Sequence, residues 1–336
     1  MIHHPLARAL TALALLLGAL GLAGCGDEGG EPGADGLTPV EILLDWYPNA
    51  DHAGLYGAMG EDHFADEGLA VSAVVPSDTA AALKEVGAGR VRFAISYEPE
   101  VLLARSQGIP VVAVGALITK PLNSIIVRAD SDIASPRDLE GRTVGQAGLP
   151  LERPLLETVV RGDGGDPSRV TLRNVGFNLA PALAGGRVDA VVGAYWNIES
   201  VDLAAQGVET RAFRVEEFGV PEYDELVLVT SDEVAEQEPD LVRSVLAGLR
   251  RGQDWAATDQ SGAVEHLLRA NPDLEAEVVA DQIALTAPLF SPEEEPTLGM
   301  DREEWTAFAA WMRESGLLEA DVDAAQAMTT RFLPAS

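Results

Sequence analysis

Short apolar runs alternate with helix-like segments through the first two thirds of the chain. Residues 40–44 form the first apolar run, and Leu55, Met59 and Phe64 then recur at helical spacing in a predicted helix at 53–64. Further strand-like runs lie at 69–75, 91–96, 111–117, 124–128, 143–146, 170–177, 188–193 and 226–230. Helix-like segments such as 99–107 and 153–160 separate most of them. This alternation predicts an α/β fold whose mixed, mainly parallel sheets are covered by helices on both faces.

The strand-like runs stop after residue 231, and apolar residues recur at helical spacing from there to the end of the chain. The predicted helices of this part lie at 240–257, 262–269, 274–285, 302–314 and 321–332. The sequence therefore predicts a helical C-terminal tail.

Two distant stretches repeat one local pattern. Residues 82–96 read ALKEVGAGRVRFAIS and residues 182–193 read ALAGGRVDAVVG. Each ends a helix with glycines, continues with Gly-Arg-Val and enters a short apolar run, which leads to Tyr97 in the first stretch and to Tyr195 in the second. The repetition suits two lobes built on one plan, although two such turns can also be alike by chance. Because ligands of open α/β sheets bind beyond the carboxyl ends of the strands, two facing sheets would bring both tyrosines to one flat ring.

Polar and aromatic residues also follow the first predicted strand, in the stretch LDWYPNADHAG at 44–54. The same strand-end rule places Asp45, Trp46, Asn49 and His52 at the mouth of the cleft. Trp46 offers a stacking face, Asn49 a donor and an acceptor, and Asp45 and His52 polar groups of different charge. Two alternatives to ligand contact stay open. Asp51 sits where an N-cap of the following helix would sit, and His52 could have a structural role.

A second cluster reads Tyr-Trp-Asn-Ile-Glu at 195–199. If a helix starts near Trp196, Tyr195 and Glu199 are four residues apart and project to one side. An aromatic face with a carboxylate one turn away suits an aminated heteroaromatic ring, because the carboxylate accepts hydrogen bonds from an exocyclic amine or a protonated ring nitrogen. We expect Trp196 to pack within its lobe.

The N-terminus has the pattern of an exported lipoprotein. Residues 1–24 are predicted to be a signal peptide, with Arg8 before an apolar run at 9–23. Leu-Ala-Gly-Cys at 22–25 resembles the lipobox of bacterial lipoproteins, in which the cysteine is lipidated after cleavage; ordinary secretory cleavage is the alternative. With Cys25 lipidated and residues 25–37 serving as a flexible tether, the protein would be extracytoplasmic and held to the cell membrane by lipid.

Composition and motifs exclude several functions. The net charge of −31 argues against nucleic acid or an anionic membrane surface as a partner. The sequence contains no Gly-x-Ser-x-Gly elbow, Walker loop or His-Glu-x-x-His helix, and its single cysteine allows no intramolecular disulfide. We predict no catalytic residues, no cofactor and no metal site. A metal centre of Asp51, His52 and His63 stays open, but helical spacing does not bring the two histidines onto one face.

Several of these motifs together resemble a known family. They are Asp45-Trp46-x-Pro48-Asn49-x-x-His52, Ser96-Tyr97, Tyr195-Trp196-Asn197-x-Glu199 and Tyr223-Asp224-Glu225-Leu226. The chain resembles solute-binding proteins of ABC importers with the two-lobed periplasmic-binding-protein (type II) fold, and within them the group that binds the thiamine pyrimidine precursors formylaminopyrimidine and hydroxymethylpyrimidine. The resemblance implies a pyrimidine held between aromatic rings, with Trp46, Asn49, Tyr97, Tyr195 and Glu199 as contacts and an ABC permease subunit as partner.

The resemblance also suggests how the chain is divided. We expect one lobe at 38–130 plus 222–336 and the other at 131–221, with crossings near 128–133 and 220–226. Closure of the lobes would be driven by ligand contacts made to both at once.

The same superfamily contains a fungal synthase of the thiamine pyrimidine, so an enzyme is the main alternative. The resemblance places Ser96 and Glu100 where that enzyme needs a lysine and a histidine, and its cysteine-rich iron segment has no counterpart here. Its phosphate-binding loop corresponds to residues 146–150, which carry no basic residue. We therefore predict a binding protein for an unphosphorylated, neutral or weakly basic ligand. Riboflavin and a small sulfonate are the alternative ligands.

Overall fold

The computed structural model describes residues 36–75, 82–176, 178–293, 296–319 and 322–334. The predicted signal peptide, Cys25 and all but the last two residues of the predicted tether lie outside these ranges. Within them, no helix combines the length and the apolar character needed to cross a membrane.

The described residues form ten strands and thirteen α-helices. The strands are β1 (Thr38–Leu43), β2 (Leu69–Val74), β3 (Phe93–Ser96), β4 (Val111–Ile118), β5 (Asn123–Arg128), β6 (Thr143–Gln146), β7 (Thr171–Asn174), β8 (Ala190–Tyr195), β9 (Thr210–Arg214) and β10 (Leu226–Ser231). The helices are α1 (Ala53–Gly60), α2 (His63–Asp66), α3 (Ala82–Gly87), α4 (Glu98–Ser106), α5 (Glu152–Gly162), α6 (Leu179–Ala184), α7 (Glu199–Ala205), α8 (Asp232–Gln237), α9 (Pro239–Thr258), α10 (Gln260–Ala270), α11 (Ala276–Phe290), α12 (Arg302–Glu314) and α13 (Ala324–Ala327).

The strands form two five-stranded sheets with one common plan. The first has the order β2-β1-β3-β10-β4 and the second the order β7-β6-β8-β5-β9. In the first sheet β1 is parallel to β2 and β3, whereas β10 is antiparallel to β3 and β4. In the second, β6 is parallel to β7 and β8, and β5 is antiparallel to β8 and β9. This repeated mixed topology confirms the predicted two-lobed periplasmic-binding-protein fold.

The repeated Gly-Arg-Val turns occupy equivalent places in the two lobes. Gly89 and Gly186 both have positive φ, +70° and +64°, in the left-handed region that favours glycine. The following N–H closes the helix end in the same way, from Arg90 to Glu85 O at 3.0 Å and from Arg187 to Ala182 O at 2.9 Å. The turns lead into β3 and β8, which hold the same position in their sheets. The similarity of the two stretches is therefore a structural repeat rather than a coincidence.

The chain crosses between the lobes twice, at 119–122 between β4 and β5 and at 215–225 between β9 and β10. The first crossing lies earlier than the predicted segment 128–133. Strand β5, which the sequence analysis assigned to the first lobe, pairs with the second sheet, where Ile125 faces Val192 and Phe213. The boundary at residue 130 is wrong for this strand, because an apolar run does not specify which of two sheets accepts it.

Three further elements differ from the predicted pattern. The helix expected at 53–64 is interrupted at Asp62, whose φ is +59°. The edge strand β9 was not predicted, because of its five residues only Phe213 is buried. The predicted final helix is limited to α13 within the described residues; Met328 then turns extended and pairs with Ala113 of β4.

The helical tail completes the first lobe. Val112 and Val114 of β4 are buried with Val245 and Leu249 of α9. The alternate strand residues Val111 and Ala113 instead belong to a cluster with Trp305, Phe308 and Met312 of α12. Since neighbouring residues of a strand point to opposite faces, α9 and α12 cover the two sides of this sheet.

Candidate functional site

A cavity of about 380 Å³ lies between the two lobes. The first lobe contributes residues that follow β1 and β3, including Trp46 and Tyr97, and the second contributes residues that follow β6 and end β8, including Glu152 and Tyr195. These four strands are the equivalent pairs of the two sheets, so both lobes present the carboxyl ends of parallel strands. The volume suits a small-molecule ligand.

Six of the seven predicted contact residues line this cavity: Asp45, Trp46, Asn49, Tyr97, Tyr195 and Glu199. The tyrosines arrive from opposite lobes, as the repeated pattern predicts. His52 is absent from the lining and is fully buried.

His52 supports the cavity wall from behind. The backbone N–H of Asn49 donates to His52 Nδ1 at 3.3 Å, so the ring hydrogen is assigned to Nε2. His52 Nε2 then donates to Asp45 Oδ1 at 2.8 Å, and the Tyr97 hydroxyl donates to Asp45 Oδ2 at 2.7 Å. This chain of hydrogen bonds fixes the orientation of the Tyr97 ring. Of the two alternatives left open for His52, the structure supports the structural role.

Asn49, and not Asp51, caps the short 3-10 turn Ala50–His52. The Asn49 side-chain oxygen accepts from the Asp51 N–H at 2.8 Å, which commits that oxygen to the cap. The N-cap role considered for Asp51 is therefore not the one it has.

Asp51 instead makes contact with the other lobe. Asn197 donates from Nδ2 to Asp51 Oδ1 at 2.6 Å and to Thr286 Oγ1 of α11 at 2.8 Å. Nearby, Gln282 Nε2 donates to Asp202 Oδ1 of α7 at 3.0 Å. Burial raises the pKa of Asp51 to about 7. These contacts hold the lobes together, and we refer to Asp51, Asn197 and Thr286 as the interlobe latch.

Tyr195 and Glu199 are neighbours for a reason other than the predicted one. Helix α7 begins at Glu199 and not near Trp196, so a turn separates the two residues. The Tyr195 N–H donates to Glu199 Oε2 at 2.6 Å, which draws the carboxylate back to the strand end. Trp196 lies outside the cavity lining, with the Arg214 guanidinium 4.0 Å from its ring centre.

Glu225 is a lining residue that the strand-end rule does not find, because it precedes β10 instead of following a strand. Its Oε1 accepts from the Tyr195 hydroxyl and from Asn123 Nδ2, both at 2.9 Å. Its Oε2 accepts from the Leu122 N–H at 2.7 Å and from the Tyr223 hydroxyl at 2.9 Å. Glu225 thus joins both crossings to the cavity. The sequence signal was its place in a motif shared with the resembled family.

The cavity wall is acidic, with protonation changes near neutral pH. Burial raises the pKa values of Glu199 and Glu100 to about 7, although each carboxylate accepts a hydrogen bond that works in the opposite direction. Among the described lining residues, Lys84 is the one basic side chain, and it is exposed. The described part of the chain holds no group of three or more His, Cys, Asp or Glu side chains placed for a metal ion. This wall suits hydrogen-bond donors and weak bases.

A two-lobed α/β fold with a cavity lined from both lobes defines the class of periplasmic-type binding proteins. The periplasmic aliphatic sulphonate binding protein SsuA from Escherichia coli has this fold, with a TM-score of 0.69 at 17% identity over 86% of this chain and 96% of that one. The likeness at this identity concerns the fold alone.

The chain belongs to the NMT1/THI5-like family, which matches residues 49–263. It is similar to the formylaminopyrimidine-binding protein of Halalkalibacterium halodurans, with 36% identity over 95% of this chain and 97% of that protein. It is also 25% identical to the 4-amino-5-hydroxymethyl-2-methylpyrimidine phosphate synthase of Legionella pneumophila, over 88% of this chain and 92% of that enzyme. The relatives of the chain thus include a binding protein and an enzyme, and the identity is higher with the binding protein.

Proposed function

We propose that this protein captures a thiamine pyrimidine precursor, formylaminopyrimidine or hydroxymethylpyrimidine, between its lobes and delivers it to an ABC permease. The observation that carries the proposal is the cavity in which Tyr97 and Tyr195 come from opposite lobes beside the Glu199 carboxylate. The name and the 36% identity of the formylaminopyrimidine-binding relative support the same ligand class.

The tyrosine rings stack on the pyrimidine, and each ring is held by a hydroxyl bonded to a carboxylate, Asp45 for Tyr97 and Glu225 for Tyr195. Glu199 accepts a hydrogen bond from the exocyclic amine or shares a proton with a ring nitrogen. A carboxyl with a pKa near 7 does both at neutral pH. Since the ligand contacts both lobes, it stabilises the closed arrangement over an open one.

A binding role fits this chain better than the synthase reaction of its relatives. Ser96 and Glu100 stand where the synthase needs a lysine and a histidine, and the Ser96 hydroxyl donates to Glu100 Oε2 at 3.1 Å. Neither side chain has the amine that forms a Schiff base with an aldehyde cofactor. Addition of pyridoxal phosphate should therefore produce no yellow lysine adduct that depends on this site, as absorbance spectroscopy would record.

The proposed location is outside the cytoplasm, on a lipid anchor at Cys25. Residues 1–25 carry this part of the proposal through their signal-peptide and lipobox pattern. Labelling with a radioactive fatty acid in cells should mark the wild-type protein and leave Cys25→Ser unmarked. Equal labelling of both would contradict the anchor.

The test of the ligand is calorimetric titration with both pyrimidines, using wild type and Glu199→Gln. We expect the variant to bind about 1–3 kcal/mol more weakly, because it loses a charged acceptor. Glu209→Gln is the matched control, since Glu209 is exposed in the same lobe. Unchanged affinity in Glu199→Gln would contradict the role of Glu199, and tighter binding of riboflavin or an alkanesulfonate than of either pyrimidine would contradict the ligand class.

A further inference from the structure

The loop after β6 directs three consecutive backbone N–H groups at a single carboxylate. Ala147 N donates to Glu152 Oε1, and Gly148 N and Leu149 N donate to Glu152 Oε2, each at 2.7 Å. Ala147, Leu149, Glu152 and Gly193 all belong to the lining of the cavity. We call the three N–H groups the nest.

The position of Glu152 is fixed from several sides. It is 2% exposed and is the first residue of the 11-residue helix α5, whose positive end favours an anion. Gly193 lies across from it in a bulge of β8, with φ of +84°. A Cβ at Gly193 would stand 2.6 Å from Glu152 Oε1, so glycine leaves the space that the carboxylate occupies. Burial raises the pKa of Glu152, and the three N–H groups act against that rise.

Converging backbone N–H groups beside a helix N-terminus are the arrangement with which proteins bind phosphate and similar anions. We propose that Glu152 is a specificity-determining residue, which fills this nest with the chain's own carboxylate and so excludes ligands that carry a phosphate or sulfonate group. The inference rests on the proposed function, since it concerns which pyrimidines the same cavity admits.

The carboxylates of the described wall disfavour an anionic ligand group. If it took the nest it would have to displace the buried Glu152 carboxylate, and elsewhere the lining presents further carboxylates, among them Glu199. The exposed Lys84 is the one basic group among the described lining residues. Discrimination between phosphorylated and unphosphorylated pyrimidines matters among the relatives of this chain. The synthase relative is named for a pyrimidine phosphate, whereas the binding relative is named for an unphosphorylated pyrimidine.

The experiment titrates the intact protein with hydroxymethylpyrimidine and with its phosphate ester. We expect wild type to bind the alcohol about 100-fold more tightly than the ester, and Glu152→Ala to lower this ratio at least about tenfold. Glu152→Gln keeps the size of the side chain but places an amide NH₂ against the nest, so its ratio should fall as well. This variant provides the test if the alanine variant does not fold. Glu157→Ala, on the same helix outside the cavity lining, should keep the wild-type ratio.

Inorganic phosphate gives a second readout that does not depend on the pyrimidine. Phosphate should raise the Tm of Glu152→Ala and leave wild type and Glu157→Ala unchanged. A wild-type ratio near one, or a folded Glu152 variant that keeps the wild-type ratio and gains no phosphate binding, would overturn the inference while leaving pyrimidine binding intact. If no variant binds either pyrimidine but Glu152→Ala binds phosphate, the proposed function fails and the role of Glu152 stands.

Discussion

The interlobe latch offers a direct test of how closure is stabilised. Asp51 Oδ2 and Asn197 Oδ1 are buried and have no hydrogen-bond partner among the described residues. Since burial raises the pKa of Asp51 to about 7, we expect a protonated Asp51 to donate to Asn197 Oδ1. We therefore expect Asp51→Asn, which also has one donor group and one acceptor, to keep the latch, and Asp51→Ala to break it.

The size of the effect follows from what is removed. Asp51→Ala deletes a buried hydrogen bond of 2.6 Å that exists only when the lobes are together. Such a bond to a carboxyl is worth about 1–3 kcal/mol. The hydrogen bonds from Asn197 to Thr286 and from Gln282 to Asp202 remain in this variant. We therefore expect the lower half of this range, about 1–2 kcal/mol, or a roughly 5- to 30-fold weaker affinity for the pyrimidine.

Titration calorimetry with formylaminopyrimidine at pH 6 and at pH 8 would measure this effect. We expect opening of the lobes to return the pKa of Asp51 towards its ordinary value of 3.8, whereas burial raises it to about 7 in the closed form. The contribution of Asp51 to closure should therefore decrease as the pH rises through 7. His52, Asp45 and Glu225 act on Asp51 electrostatically and are the same in Asp51→Asn. The ratio of wild-type to Asp51→Asn affinity therefore isolates the titration of Asp51. This ratio should be lower at pH 8 than at pH 6.

The control is Asp273→Ala, an exposed aspartate of the tail, which should bind like wild type. The latch would be refuted if Asp51→Ala bound as tightly as wild type. It would also be refuted if Asp51→Asn lost as much affinity as Asp51→Ala at pH 6, because the donor on residue 51 would then be irrelevant.

Three further predictions address the stacking, the hinge and the acidic wall. Tyr195→Ala should cost more pyrimidine affinity than Trp196→Ala in the same titrations, because only the tyrosine lines the cavity; the reverse order would mean that the pair is wrongly assigned. Glu225→Gln should lower the free energy of unfolding in urea by about 1–3 kcal/mol, whereas Glu222→Gln, an exposed residue of the same crossing, should have little effect. Burial raises the pKa of Glu100 from 4.5 to about 7, so the folded protein keeps a proton that the unfolded chain has released. The Tm of the ligand-free protein should therefore fall as the pH rises from about 5 to 7, and less steeply in Glu100→Gln; equal slopes by calorimetry would contradict this.

The local pattern of the sequence was enough to predict the class of fold and most residues of the candidate site. Alternating strands and helices specify covered sheets, and the repeated Gly-Arg-Val turn indicates two equivalent lobes. The strand-end rule then places Trp46, Tyr97 and Tyr195 correctly at one cavity. These inferences work because side-chain periodicity and turn geometry act over a few neighbouring residues.

Other features required the packed chain. Strand β5 belongs to the second sheet because it pairs with β8 and β9. The residues of β5 alone do not determine which strands it pairs with. Asp51 looked like a helix cap, but Asn197, 146 positions away, makes it part of the latch. Glu225 gained its role from the meeting of two crossings about a hundred residues apart, with Asn123 at 102 positions.

By itself, then, the sequence determined an α/β chain of two similar lobes with aromatic residues at the strand ends. Tertiary structure alone decided which carboxylates hold the lobes together, such as Asp51, and which, like Glu152, occupy the backbone N–H groups of the wall. The reason is that the pKa and the role of a carboxylate depend on its burial and its hydrogen-bond partners. In a chain with 54 acidic residues, only packing of distant segments distinguishes one from another.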